Sequence, residues 1–316
     1  MYDRVVPLMT GAVRPLGIDL RYLPMRIEEV FWRALRHREF DVSEISLAYY
    51  IALRSRRDLT YTAIPVFPSR FFRQGCIFVP ADSPLRSLDS LKGTTVGVPE
   101  YSMTACVWLR GLLADDHGIT PSDIHWRYGG IEAPGRRERA ELPRIEGVDL
   151  RPIGADECLT DLLAATRLDA VISPRIPSGF WDGRVRHLLE DYRAEELRWY
   201  ERTKIFPPMH TIVIKTELHA RHPWIARSLF DAFQEAKHRA YEWLADINAL
   251  PISLPFYMAE YELTRALFGP DPWRDGLEAN RSALELLVRY LCEQGIAEPI
   301  RLEELFAPET LDEAVI

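Results

Sequence analysis

The sequence predicts an α/β protein with two lobes and a ligand cleft between them. Helical and strand patterns alternate along the chain, which is typical of sheets whose strands are connected by helices. The chain has 316 residues, more than one hydrophobic core usually serves. A strand pattern at 210–215 follows a long middle section, which indicates a lobe inserted into another lobe made from both ends of the chain. We therefore predict a first lobe of 1–79 plus 211–316 and an inserted lobe of 80–210.

The first lobe opens with a helix over 27–37, because Val30, Phe31, Ala34 and Leu35 fall on one helical face. The patterns that follow predict strands at 40–47, 61–67 and 75–80, with a helix between the first two.

The inserted lobe begins at a turn-rich stretch, 81–84. A strand at 94–99 leads into a helix from about 102 to 117. The segment 127–147 is rich in glycine, proline and charge, so we expect an exposed loop there. The remaining patterns of this lobe predict a strand at 148–153, a helix at 157–167 and a strand at 169–174.

The chain then returns to the first lobe through the strand at 210–215. A long amphipathic helix over 222–244 has Pro223 close to its start, where proline fits best. Two more helices, at about 257–268 and 278–293, complete the prediction. Because ligands of open α/β sheets bind beyond the carboxyl ends of the strands, two facing lobes should bury a small molecule between them.

Composition narrows the classes of partner. The net charge is −8, from 39 basic and 47 acidic residues, so nucleic acid and anionic membranes are not attracted in bulk. No apolar run reaches the ~18 residues of a membrane span, and Met1-Tyr2-Asp3-Arg4 starts no export signal, so we expect a cytoplasmic protein. The four cysteines are scattered and no H-E-x-x-H spacing occurs, so we expect reduced thiols and no metal. The oligomeric state stays open, and a homo-oligomer is retained as one expectation.

Five long segments resemble the 4,5-dihydroxyphthalate decarboxylase family. They are FWRALRHREFDVSEISLAYYI, IPVFPSRFFRQGCIFV, LKGTTVGVPEYSMTACVWLRGLLADDHGI, IFPPMHTIVIK and GLEANRSALELLVRYLCEQG. The resemblance runs from Tyr2 to about Leu311 and implies a fold like the type II periplasmic binding proteins. It also implies cofactor-independent decarboxylation of a hydroxylated aromatic dicarboxylate, 4,5-dihydroxyphthalate to protocatechuate, by protonation of the ring and loss of CO₂. The ring serves as the electron sink, so no cofactor is expected.

The sequence departs from the family at its start. Family members usually carry an apolar β-strand before the segment that matches Tyr2-Asp3-Arg4, whereas Met1 directly precedes Tyr2 here. We therefore expect an open edge in the sheet of the first lobe and the loss of any ligand contact that this strand makes.

A phthalate-type substrate brings two carboxylates, which arginine forks suit geometrically. Arg70 and Arg175 are the predicted clamps, because each lies next to a strand; Arg73 ranks behind them, and all three could instead be surface arginines. The start of the helix at Ser102, Met103 and Thr104 predicts an anion site from its free N–H groups. Its alternative is that Ser102 only caps the helix.

The predicted acid–base pair is His210 and Glu44. His210 lies at a crossing between the lobes, and a histidine side chain suits proton transfer, so we assign it proton delivery to the ring. Glu44 interrupts an apolar strand, so we expect it to orient a phenol hydroxyl or the catalytic histidine, or else to form a salt bridge with Arg36 or Arg38 outside the cleft. His37, at a helix end, is the weaker candidate for the acid.

Further residues are expected at the cleft with smaller roles. Ser46 follows Glu44 on the same side of the strand, and Tyr101 would stack on an aromatic ring or cover the hinge. Trp273 and Asn280 lie just before a helix and could reach the rim, and the alternative for Asn280 is burial in the first turn of that helix.

Three other functions remain open on the sequence alone. The same fold serves solute-binding proteins without chemistry, a decarboxylase for another aromatic hydroxy acid would share most features, and a regulatory sensing domain ranks last because no helix-turn-helix segment is present.

Overall fold

The structure is a computed structural model that describes residues 2–136 and 145–311. Helices surround two β-sheets. They are α1 (Val6–Met9), α2 (Ile27–His37), α3 (Leu47–Ser55), α4 (Thr104–His117), α5 (Leu159–Ala164), α6 (Tyr192–Thr203), α7 (Thr216–Arg221), α8 (Trp224–Ala245), α9 (Tyr257–Phe268) and α10 (Arg281–Glu293). Within the described ranges, no helix combines the length and the apolar character needed to cross a bilayer.

The strands are β1 (Val42–Ser46), β2 (Tyr61–Ile64), β3 (Ile77–Pro80), β4 (Thr95–Val98), β5 (His125–Tyr128), β6 (Leu150–Pro152), β7 (Ala170–Ile172), β8 (Val185–His187) and β9 (His210–Lys215). The first sheet has the order β1-β9-β2, and β9 runs antiparallel to both neighbours. The second sheet has the order β6-β5-β4-β7-β3-β8. Its β6, β5, β4 and β7 are parallel, and β3 is antiparallel to β7 and β8.

The sequence prediction of most elements is confirmed. Helices α2 and α9 begin and end where their patterns predicted, and strand β9 matches 210–215. The structure adds β5, β8 and α6, which were not predicted. The exposed loop expected at 127–147 is partly wrong, because it begins inside β5 and residues 129–131 are buried. Its residues 137–144 lie outside the described part.

The division into lobes stays a prediction. Near its two boundaries, the sheet that a residue joins differs from the lobe to which the sequence assigned it. β3 was assigned to the first lobe up to residue 79, but Ile77 pairs with Ile172 in the second sheet. His210 was assigned to the inserted lobe, but it pairs with Ser46 in the first sheet. The physical reason is that hydrogen-bonded pairing, and not the turn at 81–84, decides which sheet a strand joins.

Helices α4 and α10 meet closely at a glycine. The Tyr290 ring of α10 lies against α4 so tightly that a Cβ on Gly111 would be 2.2 Å from it. The Tyr290 hydroxyl donates to Asp115 at 2.7 Å, and its ring packs edge-on to Trp108 with 5.7 Å between centroids. A larger residue at 111 would separate α4 from α10, and α4 starts at the cavity described below.

A buried ammonium group ties α8 to the loop after α9. Lys237 is 2% exposed. Its Nζ donates to Asp271 at 2.9 Å, to the carbonyl of Trp273 at 3.0 Å and to Asp275 at 3.3 Å. Asp275 in turn accepts the N–H of Phe67 at 2.8 Å, so the same charge network anchors the segment after β2.

We expect Lys237→Met to lower the free energy of unfolding by about 3 kcal/mol, because it leaves two carboxylates without their buried cation. Arg239→Met is the matched control, since Arg239 lies on the same helix and pairs with Glu235 at the surface. It should lose no more than about 0.5 kcal/mol. Urea unfolding measures both, and equal losses in the two variants would contradict a stabilising role for the buried network.

Candidate functional site

A cavity of about 330 Å³ lies between the two sheets. Residues of α2, β1, β9 and the segment after β2 line one side, and the start of α4 and the segment after β7 line the other. Its ionisable side chains are Tyr2, Glu28, Tyr49, Arg73, Glu100, Arg136, Arg175 and His210. The volume suits a single aromatic ring with its substituents.

A larger cavity of about 430 Å³ lies between α8 and α9. Its wall is mostly apolar and aromatic, and the described residues that line it include no histidine. Trp273, which the sequence placed at the cleft rim, lines this second cavity instead. The predicted acid, His210, lines the cavity between the sheets and not this one.

His210 and Glu44 meet because of the register of β1 and β9. Ser46 lies opposite His210 across the antiparallel pair, which puts Glu44 diagonally next to His210 on the same face. The distance from Nδ1 of His210 to Oε1 of Glu44 is 2.6 Å. Nδ1 is therefore the ring nitrogen engaged by the carboxylate, and Nε2 has no hydrogen-bond partner within residues 2–136 and 145–311.

Tyr2 completes this group. Its hydroxyl donates to the same Oε1 of Glu44 at 2.7 Å. Burial, and then the negative charge of Glu44, raise the pKa of Tyr2 well above its usual range, so the phenol stays protonated as a donor. Glu44 does not line the cavity itself; it lies behind His210 and makes no salt bridge to Arg36 or Arg38. Its position suits orientation of the histidine better than contact with a ligand hydroxyl.

His37 is far less suited to a role in the site. It is exposed at the end of α2, and its ring packs against Trp32 with 4.5 Å between centroids. It does not line the cavity. His210, by contrast, is half-buried, and its ring packs edge-on against Phe31 with 5.0 Å between the ring centroids.

Two arginines at the cavity are already paired with acids. Arg175 follows β7 and makes an ion pair with Glu28 of α2, across the cavity. Arg136 donates through Nε to the buried Glu100 at 2.9 Å. A substrate carboxylate at either arginine has to compete with the resident carboxylate.

Arg73 is the lining arginine without a salt bridge to any acid in residues 2–136 and 145–311. Its guanidinium contacts sulfur atoms, with Nε 3.4 Å from Sδ of Met209 and Nη1 3.7 Å from Sγ of Cys76. Glu196 contributes an opposite charge nearby, but its carboxylate accepts the N–H of Gly75 at 3.0 Å. Burial raises the pKa of Glu196 to about 6. Arg73 is therefore the cation most available to an incoming carboxylate.

The position of Arg70 corrects its prediction as a carboxylate clamp. Arg70 is 6% exposed and does not line the cavity. It donates to the carbonyl of Phe206 at 2.9 Å and to the side chain of Asn280. Burial lowers the pKa of Arg70 to about 10. Arg70 and Asn280 thus hold the loop before α10, and the expectation that Asn280 reaches the rim is also corrected.

The prediction that Tyr101 stacks on a ligand ring is also corrected, because its side chain is fully buried and does not line the cavity. The guanidinium of Arg110 lies 3.6 Å from the centre of its ring, and Trp126 packs edge-on at 5.9 Å. Arg110 also donates to the Tyr101 carbonyl at 2.7 Å. Tyr101 therefore fixes the strand-to-helix turn and has no free face for a ligand ring.

The start of α4 does reach the cavity, where Ser102, Met103 and Thr104 line it. Ser102 does not occupy the capping position of this helix, which is Met103, whose side chain makes no capping hydrogen bond. The hydroxyl of Thr104 lies 2.8 Å from that of Ser46 and accepts the N–H of Ala48 at 3.0 Å. Ser46 and Thr104 thus connect β1 to the start of α4 at the cavity wall.

Sequence reasoning missed Tyr2, Glu28, Glu100 and Arg136, and ranked Arg73 too low. Glu100 had a usable signal, because it follows β4 at the carboxyl end of a parallel strand, where ligand sites form. Tyr2 had none, since its partner Glu44 lies 42 residues away in the chain. Within the described residues, no group of three or more His, Cys, Asp or Glu side chains could hold a metal ion.

The chain resembles named proteins over most of its length. A 4,5-dihydroxyphthalate decarboxylase of Comamonas testosteroni is 38% identical over 314 residues, covering 98% of this chain and 95% of that protein. A 4,5-dihydroxyphthalate decarboxylase of Pseudomonas putida is 40% identical over 201 residues, covering 63% of this chain and 78% of that protein. Residues 1–133 match the family described as ABC transporter, phosphonate, periplasmic substrate-binding protein.

Solved structures share the fold at low sequence identity. The desulfurization enzyme DSZB, as a variant in complex with biphenyl-2-sulfinic acid, matches with a TM-score of 0.52 and 16% identity, covering 98% of this chain and 94% of that one. The ligand-binding component of an ABC-type import system from Staphylococcus aureus matches with a TM-score of 0.52 and 11% identity, covering 99% and 96%. The predicted two-lobed, binding-protein-like fold is confirmed.

Proposed function

Because the chain belongs to the 4,5-dihydroxyphthalate decarboxylase family, as its sequence predicted, we propose that it is a carboxy-lyase that converts 4,5-dihydroxyphthalate to protocatechuate and CO₂. The observation that carries the proposal is the histidine–carboxylate pair at the wall of an aromatic-sized cavity that also holds arginines. Such a pair suits proton transfer to a ring carbon, and the arginines suit a dianionic substrate.

In the proposed reaction, the hydroxyl para to the departing carboxylate loses its proton and pushes electron density to the carbon that bears this carboxylate. His210, charged and held by Glu44 at Nδ1, donates the Nε2 proton to that carbon and forms a dienone. The bond to the carboxylate then breaks, CO₂ leaves, and the electron pair restores the aromatic ring. The lining carboxylates Glu28 and Glu100 are the acceptors available for the hydroxyl proton.

The binding groups have separate roles in this proposal. Arg73 receives the carboxylate that the product retains, because it has the least competition from resident acids among the described cavity residues. Arg175 and Arg136 supply positive potential at the cavity wall. Arg175 is paired with Glu28, and Arg136 is paired with Glu100. Phe31 and Met103 offer the ring apolar contact, and Ser102 and Thr104 at the start of α4 line the same space.

We expect the purified protein to release CO₂ from 4,5-dihydroxyphthalate without added cofactor. In D₂O the product should carry one deuterium, on the carbon that is next to the carboxyl-bearing carbon and para to a hydroxyl, because the enzyme delivers the proton there. Proton NMR of the product measures both its identity and the label. Unsubstituted phthalate is the control and should bind without reacting, since it has no hydroxyl to push electrons.

Saturable binding of 4,5-dihydroxyphthalate with no CO₂ would contradict the proposal and favour a non-catalytic binding protein. Release of CO₂ only from a different hydroxylated benzoate or phthalate would keep the reaction type and change the substrate.

A further inference from the structure

One oxygen of Glu44 receives two hydrogen bonds. Nδ1 of His210 lies 2.6 Å from Oε1, and the hydroxyl of Tyr2 donates to this oxygen at 2.7 Å. The proposed proton transfer uses His210 and Glu44 but gives no role to Tyr2, although its side chain also lines the cavity.

The Tyr2 hydroxyl restricts the carboxylate in two ways. It fixes the rotation of the Glu44 side chain, so that Oε1 stays in line with Nδ1. It also spreads the negative charge of Oε1 over two donors, which weakens the hold of the carboxylate on each of them. A histidine that must give up a proton is served by a partner that orients it without retaining that proton too strongly.

The ring of Tyr2 packs against the guanidinium of Arg4. The guanidinium of Arg4 lies 4.7 Å from the centre of the Tyr2 ring and 4.4 Å from that of Trp273. Arg4 is fixed by Asp3 at 2.8 Å and by the carbonyl of Pro68, which accepts its Nε–H at 3.0 Å. A cation between two rings, with both ends hydrogen-bonded, is a rigid support.

We propose that Tyr2 is a positioning residue that holds Glu44 so that His210 presents Nε2 to the bound ring and donates its proton readily. The inference deepens the proposed decarboxylation and rests on it for its kinetic test. It also has a test without substrate, because the hydrogen bonds of the resting protein fix which histidine nitrogen carries the proton.

Other ionisable groups lie near Glu44 or along the cavity wall, and Tyr2→Phe leaves all of them in place. Burial, and then the nearby negative charge of Glu44, raise the pKa of Tyr22 to about 12. The charged side chains along the cavity wall are Glu28, Arg73, Glu100, Arg136 and Arg175.

The test is Tyr2→Phe, which keeps the ring against Arg4 and removes only the hydroxyl. We expect kcat to fall about tenfold while KM changes less than about threefold, because the lost hydrogen bond acts on the proton donor and not on the substrate. The alkaline limb of kcat should move to higher pH, since a carboxylate with one donor fewer binds the histidine proton more tightly. Tyr22→Phe is the matched control. Tyr22 lies near Glu44 but makes no hydrogen bond to it in the described part of the chain, so kcat and its alkaline limb should both stay at the parent values.

The second measurement is ¹⁵N NMR of the histidine side chains without substrate, with the His210 signals identified by their loss in His210→Asn. At a pH where the imidazole is neutral, the parent and Tyr22→Phe should show His210 as a single tautomer protonated at Nδ1, and the charged form that donates to the ring carries a second proton at Nε2. Tyr2→Phe should instead show a mixture of tautomers or a displaced Nδ1 signal. Unchanged kcat, unchanged pH limb and an unchanged tautomer in Tyr2→Phe would overturn the inference. If the parent shows no decarboxylation, the proposed function fails, and the tautomer measurement still decides the role of Tyr2.

Discussion

Replacing His210 with asparagine is expected to lower kcat for decarboxylation by about 10²–10⁴-fold, the range that a positioned acid or base typically supplies. Asparagine keeps a polar side chain at the start of β9 but cannot carry a transferable proton. KM should change little, because His210 acts on the carbon that is protonated in the transition state and the arginines bind the ground-state charges.

The control for this experiment is His37→Asn. His37 is exposed on α2 and does not line the cavity, so turnover should stay at the parent value. Substrate binding to His210→Asn, measured by calorimetry in the absence of turnover, separates lost chemistry from a damaged cavity. If His210→Asn binds normally and turns over within a few-fold of the parent, another group donates the proton.

The sequence was sufficient for elements whose apolar pattern is local. Helix α2 carries Phe31 and Ala34 on one buried face, and the residues of strand β9 between His210 and Lys215 are all buried and mostly apolar, so both elements were predicted with the bounds that the structure shows. Strand β5 was missed because its sequence, HWRY, is only four residues long and has one fully buried residue, so its alternation is too short to indicate a strand. Its strand conformation depends on pairing with β4 and β6, which no local pattern reveals.

The sequence predicted site residues only where a polar residue stands within or at the end of an apolar strand. His210 and Glu44 stood out as polar residues in apolar strands, and the register of β1 and β9 brings them together. Arg70 and Arg73 lie three residues apart in a segment without regular structure, so the sequence could not decide which of them faces the cavity. The structure turns Arg70 toward Asn280 and leaves Arg73 along the cavity wall.

That difference between the two arginines leads to the second large effect: Arg73→Gln should raise KM about 30-fold with a smaller change in kcat. A charged hydrogen bond to a carboxylate contributes about 1.5–3 kcal/mol, and a tenfold change in affinity corresponds to about 1.4 kcal/mol. Arg73→Lys should recover only part of the loss, because lysine restores the charge but not the planar fork. Arg175→Gln should have a smaller effect than Arg73→Gln, since Glu28 already occupies Arg175.

The sharper measurement compares two inhibitors that differ by one carboxylate. The parent should bind phthalate more tightly than benzoate, because a second carboxylate finds Arg73 free of any acid in the described part of the chain. Arg73→Gln should remove most of this difference while leaving benzoate binding nearly unchanged, whereas Arg175→Gln should keep most of it. Such a pattern assigns the retained carboxylate to Arg73. The affinity difference between phthalate and benzoate should disappear only in the variant that lacks the side chain bound to the second carboxylate. A ratio of phthalate to benzoate affinity that is the same in Arg73→Gln and the parent would instead place that carboxylate at Arg136 or at the start of α4.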